Sequence, residues 1–206
     1  MNLKKTTITK IRDVDTGFGF IYEPVSEPII TQTKNGYTLK YLTRDTEPIC
    51  PDEYDNDTLF LVFYHRQFNV ENKNIKKEDL VQLFRDPESI INNTTHYLND
   101  YHVFWVSALI HSNIHLSLAS AFAEDPGGWD TSLAGAILIK KSEYPNKDKA
   151  HKAAKWKLDD WNSYLSGDVY GCVMETFDKD KNPIDHESIW GYFGYGFAQA
   201  SLENEF

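Results

Sequence analysis

His111, Asp130 and Glu187 have the residue types and surroundings that chemistry requires. The carboxylates Asp125, Asp130, Glu175, Asp185 and Glu187 sit beside aromatics or glycines and outside charged runs, where an ordinary pKa is most easily displaced. A pair of carboxylates, or one with an imidazole, can run general acid-base catalysis, so Asp130, His111 and Glu187 define the set that a small hydrolase or nucleotide-modifying enzyme would use. The residue context supplies a simpler role for each. Asp130 follows Trp129 as a turn residue whose side-chain oxygen satisfies nearby backbone, and Glu187 falls on a hairpin edge. His111 and His115 stand at an even spacing that can share one strand face, and His102, Asp125 or Asp130 could complete a metal site. The pair spans a turn expected at Ser112-Asn113, which breaks that parity, so no metal or other cofactor is expected. Neither Ser112 nor Ser188 has a nucleophile context, and the acidic surroundings of Cys50 raise its thiol pKa. The phosphate-loop, dinucleotide, zincin and nucleophile-elbow signatures are all missing.

A second group of residues is suited to binding. Between residues 45 and 57 lie Asp45, Glu47, Asp52, Glu53, Asp55 and Asp57 with no Lys or Arg among them. Pro48 and Pro51 oppose a helix there, so the stretch reads as an exposed acidic loop. Asp52, Glu53, Asp55 and Asp57, with Trp129 and Asp130 as an aromatic-carboxylate anchor, are the expected partner-binding residues. The whole chain carries 31 acidic against 21 basic side chains, a formal charge of -10. Such a molecule repels phosphate backbones and anionic headgroups, so direct DNA binding is not expected, and a protein with a basic surface is the better partner.

These residues must be held by elements that the pattern makes visible. Strands are expected at Tyr37 to Leu42, Thr58 to Tyr64, from His102 through HVFWVSALI, at IHLSLAS with its alternating apolar residues, and at AGAILI from Ala134 to Ile139. A short helical face runs from Lys77 to Phe84, ending at Asp86-Pro87. The clearest helix spans 146 to 165, with Ala150, Ala154, Leu158, Trp161 and Leu165 on one face and Gly167 to stop it. Lys147, Lys149, Lys152, Lys155 and Lys157 read as its solvated face. Strands from Val169 and around Ser188 to Phe193 flank the turn DKDKNP, and a short amphipathic tail runs from Phe197 to Leu202. Hairpin-linked strands without regular βαβ alternation predict an α+β fold: an antiparallel sheet with one long amphipathic helix packed across it. One domain over residues 1–206 is the default, with an N-terminal subdomain 1–98 and a core 99–206 as the alternative division. Two distant cysteines, no export pattern and no long apolar run point to a cytoplasmic protein that does not cross a membrane.

Four segments carry a resemblance. They are His111-Ser112-Asn113 before IHLS, Trp129-Asp130-Thr131-Ser132 with Gly135, the run Tyr164-Leu165-Ser166-Gly167-Asp168-Val169-Tyr170-Gly171, and Glu187-Ser188-Ile189-Trp190-Gly191-Tyr192-Phe193-Gly194. In order and spacing they resemble a family of small uncharacterised proteins of bacteriophages and mobile elements, with the pattern H-S-G, W-D-S-G-x-x-G, Y-x-x-G-[DE]-V-Y-G and S-x-W-G-[FY]-[YF]-G. The likeness covers about residues 100–195 and departs from the pattern at Asn113 and Leu133. By analogy, it implies an accessory protein that inhibits a host defence system of the anti-CRISPR or anti-restriction kind. Its partner would be a nuclease or effector complex, blocked by occlusion or by mimicry of nucleic-acid charge.

Overall fold

The computed structural model describes residues 17–54, 58–65, 68–71, 75–85 and 99–206. The chain is α+β, but its strands form two antiparallel sheets where a single sheet was expected. They belong to two compact units: the described residues 17–49 together with Gly167–Phe206, and Cys50–Ser166. A division at residue 98 matches neither unit, because a strand of the first half pairs with one of the second. Period-2 alternation shows that a segment is a strand but not which strand it pairs with, so one sheet or two was not legible.

In the discontinuous unit the order is β1 (Ile29–Gln32), β2 (Gly36–Arg44), β8 (Val169–Asp178), β9 (Pro183–Phe193). Ile30, Leu39, Tyr41 and Phe177 share one face, under an extended segment whose Phe18, Phe20 and Tyr22 rings meet Phe177, Tyr41 and Trp190 edge-on at 4.9, 5.3 and 5.1 Å. Beneath this cover Glu175 is 1% exposed and accepts hydrogen bonds from the Tyr41 hydroxyl and, at 2.9 Å, from the Ile21 amide. Burial, and then the Glu175 carboxylate, push the Tyr41 phenol upward. On the opposite face Leu42, Cys172 and Tyr192 pack against Ala198 and Leu202 of a short helix at Tyr195–Leu202. Two of the four segments singled out in the sequence meet here. Asp168 accepts from the Tyr170 hydroxyl at 2.7 Å, and its main-chain oxygen takes the Gly194 amide at 2.8 Å. These motif residues therefore join β8 to the start of that helix.

The second unit is built on β3 (Leu59–His65), β4 (Phe68–Val70), β5 (Tyr101–Ile110), β6 (Ile114–Ser117) and β7 (Thr131–Lys140), in the order β4-β3-β7-β5-β6. Leu61, Phe63, Val106, Ile137 and Ile139 face one side, and Phe60, Val62, Ala136 and Leu138 the other. Burial on both sides explains why TLFLVFY and AGAILI are apolar throughout. Leu80 of α1 (Lys77–Arg85) closes the second side, while Asp86-Pro87, its expected stop, lies outside the described residues.

The first side is covered by α2 (Lys147–Ser166), started by the Asn146 side chain, which accepts from the Asp148 and Lys149 amides at 2.9 and 3.0 Å. Gly167, at φ +71°, takes the left-handed conformation that ends it. Ala150, Ala154, Leu158 and Trp161 enter the core, each large side chain contributing roughly 1.5–3 kcal/mol by its burial. Asn162 reaches the edge strand β6, accepting from the Leu116 amide at 2.8 Å and donating to its carbonyl at 3.0 Å, so a side chain fills a strand's place there.

Lys157 corrects the solvated-lysine reading. It follows Ala154 by three positions and precedes Trp161 by four, which places it on the apolar stripe, where its side chain is 7% exposed. Its ammonium lies 3.0 Å from Asp52 Oδ1 and donates to the Pro51 carbonyl at 3.0 Å. Asp52 also accepts from Trp161 Nε1 at 3.2 Å and from the Leu61 amide at 3.0 Å. Burial pushes the Asp52 carboxyl upward, and the Lys157 ammonium opposes that shift.

Two predictions test this arrangement. Lys157→Ala should cost about 3–5 kcal/mol in urea unfolding, because it leaves a buried carboxylate without its cation. Replacing both partners, Asp52→Asn with Lys157→Met, should cost clearly less; equal losses would show that the charge pair is not what matters. Asp160, also on α2, has its carboxyl pushed up by burial to about 6. Its charge therefore lowers stability as pH rises from the unfolded-state value of about 3.9 through 6. Asp160→Asn should raise the melting temperature above pH 6, with the gain vanishing near pH 4.

Candidate functional site

The sequence Asp125-Pro126-Gly127-Gly128 supplies a turn-forming carboxylate followed by residues that bend. In the structure this carboxylate organises the loop that leads into β7. Asp125 Oδ1 accepts from the Trp129 amide at 3.0 Å, and Oδ2 accepts from the Asp130 amide at 2.9 Å and the Thr131 hydroxyl at 2.8 Å. The Thr131 hydroxyl, then the backbone N–H groups, hold the Asp125 carboxyl below the usual carboxylate range. Phe122, buried beneath the loop, anchors its first half, with its ring 5.8 Å from that of His115. The Ile110 amide donates to the Asp130 carbonyl at 2.9 Å and ties the second half to β5.

What the loop presents is Trp129, 91% exposed. Its ring lies so close to Gly127 that a Cβ there would stand 2.4 Å from the indole nitrogen, so only glycine permits this placement. Glu124, Asp125 and Asp130 put negative charge on the same loop. His111, in the turn of the β5–β6 hairpin, places Nδ1 3.0 Å from Asp130 Oδ2, with its side chain 78% exposed. Asp130 and His111, singled out by residue type, are thus brought together. The Asp130 amide donates to the Asp125 carboxylate, so the turn is organised by the earlier carboxylate and not by Asp130 itself. An Asp before Pro-Gly-Gly was the signal for that role.

The other candidates fall elsewhere. Glu187 belongs to the other unit, on β9 opposite Met174, and is exposed. Asp52, taken from the sequence as a surface charge, is 17% exposed and already engaged by Lys157, Trp161 and Leu61. The loop that Pro51 was expected to keep non-helical contains a 3-10 turn at Pro51–Tyr54, which proline tolerates at a first helical position. Glu53 in that turn is exposed, while Asp55 and Asp57 lie outside the described residues. Burial pushes the Cys50 thiol up, a hydrogen bond from the Asp52 backbone opposes that shift and the Asp52 and Glu53 charges add to it, and burial pushes Cys172 up to about 11. Neither thiol is primed as a nucleophile. Among the described residues no three His, Cys, Asp or Glu side chains converge as metal ligands, and no helix is long and apolar enough to cross a membrane. Comparison with protein-family models, curated proteins and solved structures finds no match to this chain.

If Asp125 holds the loop, Asp125→Ala should strip hydrogen-exchange protection from the Trp129 and Asp130 amides while leaving β7 protected. In the unmutated protein the same protection should persist above the ordinary aspartate value of about 3.9 and disappear as pH falls through the lower folded-state value. Unchanged exchange in the variant would assign loop order to its flanking strands instead.

Proposed function

We propose that this protein is an acidic binding protein that inhibits a nucleic-acid-directed enzyme of a host defence system by occlusion. The observation that carries the reading is Trp129, fully displayed on a loop ordered by its own hydrogen bonds and flanked by carboxylates. A tryptophan whose backbone is held in place before binding loses less conformational entropy on docking than one on an unordered loop, and tryptophan is among the side chains enriched at interface hot spots. The surrounding Glu124, Asp125 and Asp130 favour a basic partner surface, such as a nuclease or guide-loaded effector uses against phosphate. The overall charge of -10 acts in the same direction over longer range. The family resemblance adds the bacteriophage setting and the anti-CRISPR or anti-restriction class. With Asp52 turned inward, Glu53 and the Trp129-Asp130 loop are the described members of the expected binding set.

A second reading, a small hydrolase or nucleotide-modifying enzyme, draws on the His111–Asp130 hydrogen bond at 3.0 Å. It has His111 and Asp130 in one unit and Glu187 in the other.

The two separate by mutation. In the inhibitor reading, Trp129→Ala should weaken capture of a nuclease or effector from a defence-competent bacterial lysate by thirtyfold or more, the effect of losing about 2 kcal/mol or more at a hot spot. Capture by the unmutated protein should fall as salt rises, and Asp130→Asn should reduce it only modestly. Retention of the same partner by Trp129→Ala would overturn the assignment of the loop. A hydrolytic activity abolished by Asp130→Asn and indifferent to Trp129→Ala would replace the inhibitor reading with the enzymatic one.

A further inference from the structure

In the discontinuous unit, the face of the sheet that carries the short helix also carries a cleft of about 640 Å³, within the size range of small-molecule sites. Its lining combines one cation, Lys40, with two carboxylates, Glu27 and Glu203, an apolar wall that includes Ile29 and Leu202, and the Tyr195 ring. Lys40 is half-buried on β2 and lies in a cross-strand row that runs Ile29, Lys40, Met174, Glu187. A chain residue already shows what this lysine accepts. Lys40 Nζ donates to the main-chain oxygen of Phe206 and stands 5.8 Å from the centre of its ring, an oxygen acceptor and an aromatic face together. An ammonium has three donors, and Phe206 uses one.

A simple anion would meet two carboxylates for each cation in this lining, and a simple cation would meet Lys40. A molecule carrying both charges matches it: a carboxylate on Lys40, an ammonium on Glu27 or Glu203, and a ring against Ile29, Leu202 and Tyr195. We propose that this cleft binds a small zwitterion with an aromatic side chain, the chemistry of a free aromatic amino acid or of a dipeptide that contains one. The site uses none of the residues of the Trp129 loop and stands independently of the inhibitor reading.

Calorimetric titration of the full chain tests the proposal with four probes: phenylalanine, the dipeptide Ala-Phe, 3-phenylpropionate without the ammonium, and 2-phenylethylamine without the carboxylate. At least one zwitterion should bind tenfold or more tightly than both singly charged probes. Tighter binding of phenylalanine identifies a free amino acid as the ligand, and tighter binding of Ala-Phe a peptide. Lys40→Met should weaken the preferred zwitterion tenfold or more, and Glu27→Gln with Glu203→Gln should weaken it without weakening 3-phenylpropionate. The proposal is overturned if neither zwitterion gives a saturable signal, if 3-phenylpropionate binds as well as phenylalanine, or if Lys40→Met binds unchanged. The probe series on the unmutated protein decides the matter even where a variant fails to fold.

Discussion

The Asp52 carboxylate is the constraint on which the second unit turns. Its two oxygens join the 3-10 turn that carries it to the Leu61 amide of β3 and to Lys157 and Trp161 of α2. An ion pair withdrawn from water tolerates little displacement, because each charge has lost its hydration and depends on the other. Apolar packing alone would allow α2 to slide or rotate over the sheet, since dispersion contacts have no direction. The charged contact and the Asn162 bonds to Leu116 restrict the helix to one position and one rotation. With α2 in place, one face of the sheet is sealed and the β5–β6 hairpin is held at its edge.

Carboxylates serve opposite ends in this molecule, and solvent exposure decides which. Asp52 and Glu175 are withdrawn from water, so their partners determine how neighbouring elements pack. Asp125 is at the surface, yet three chain positions converge on it, and hydrogen bonding lowers its pKa while burial raises that of Asp52. The first kind contributes to the fold and the second shapes a surface. Trp129 depends on the second kind: an exposed indole on an unstructured loop would spend much of its binding energy on becoming ordered.

The two units also differ in how their sheets are shielded. The five-stranded sheet is apolar on both faces, with helices contributing on each side. The four-stranded sheet places aromatic rings of residues 18–22 over one face and the short helix over part of the other. The incompletely covered face retains Lys40 and the adjacent cleft, where polar side chains and apolar walls coexist.

Local pattern by itself determined most of the elements: strands at 36–44, 59–65, 101–110 and 131–140 and the helix at 147–166 all follow from apolar periodicity and their stop residues. It also marked Asp130, His111 and Trp129, because turn chemistry and an aromatic beside a carboxylate are properties of neighbours in sequence. Partnership between distant segments was decided by tertiary structure alone. The pairing of β2 with β8 divided the strands into two sheets, and Asp52 met Lys157 across 105 positions of chain. The position of Lys157 on the apolar stripe was legible, but its counterion was not, since helical periodicity fixes a direction and not what lies there. Side-chain charge read along the chain therefore predicts a surface only until folding pairs it, and here it left the Trp129 loop outside and took Asp52 in.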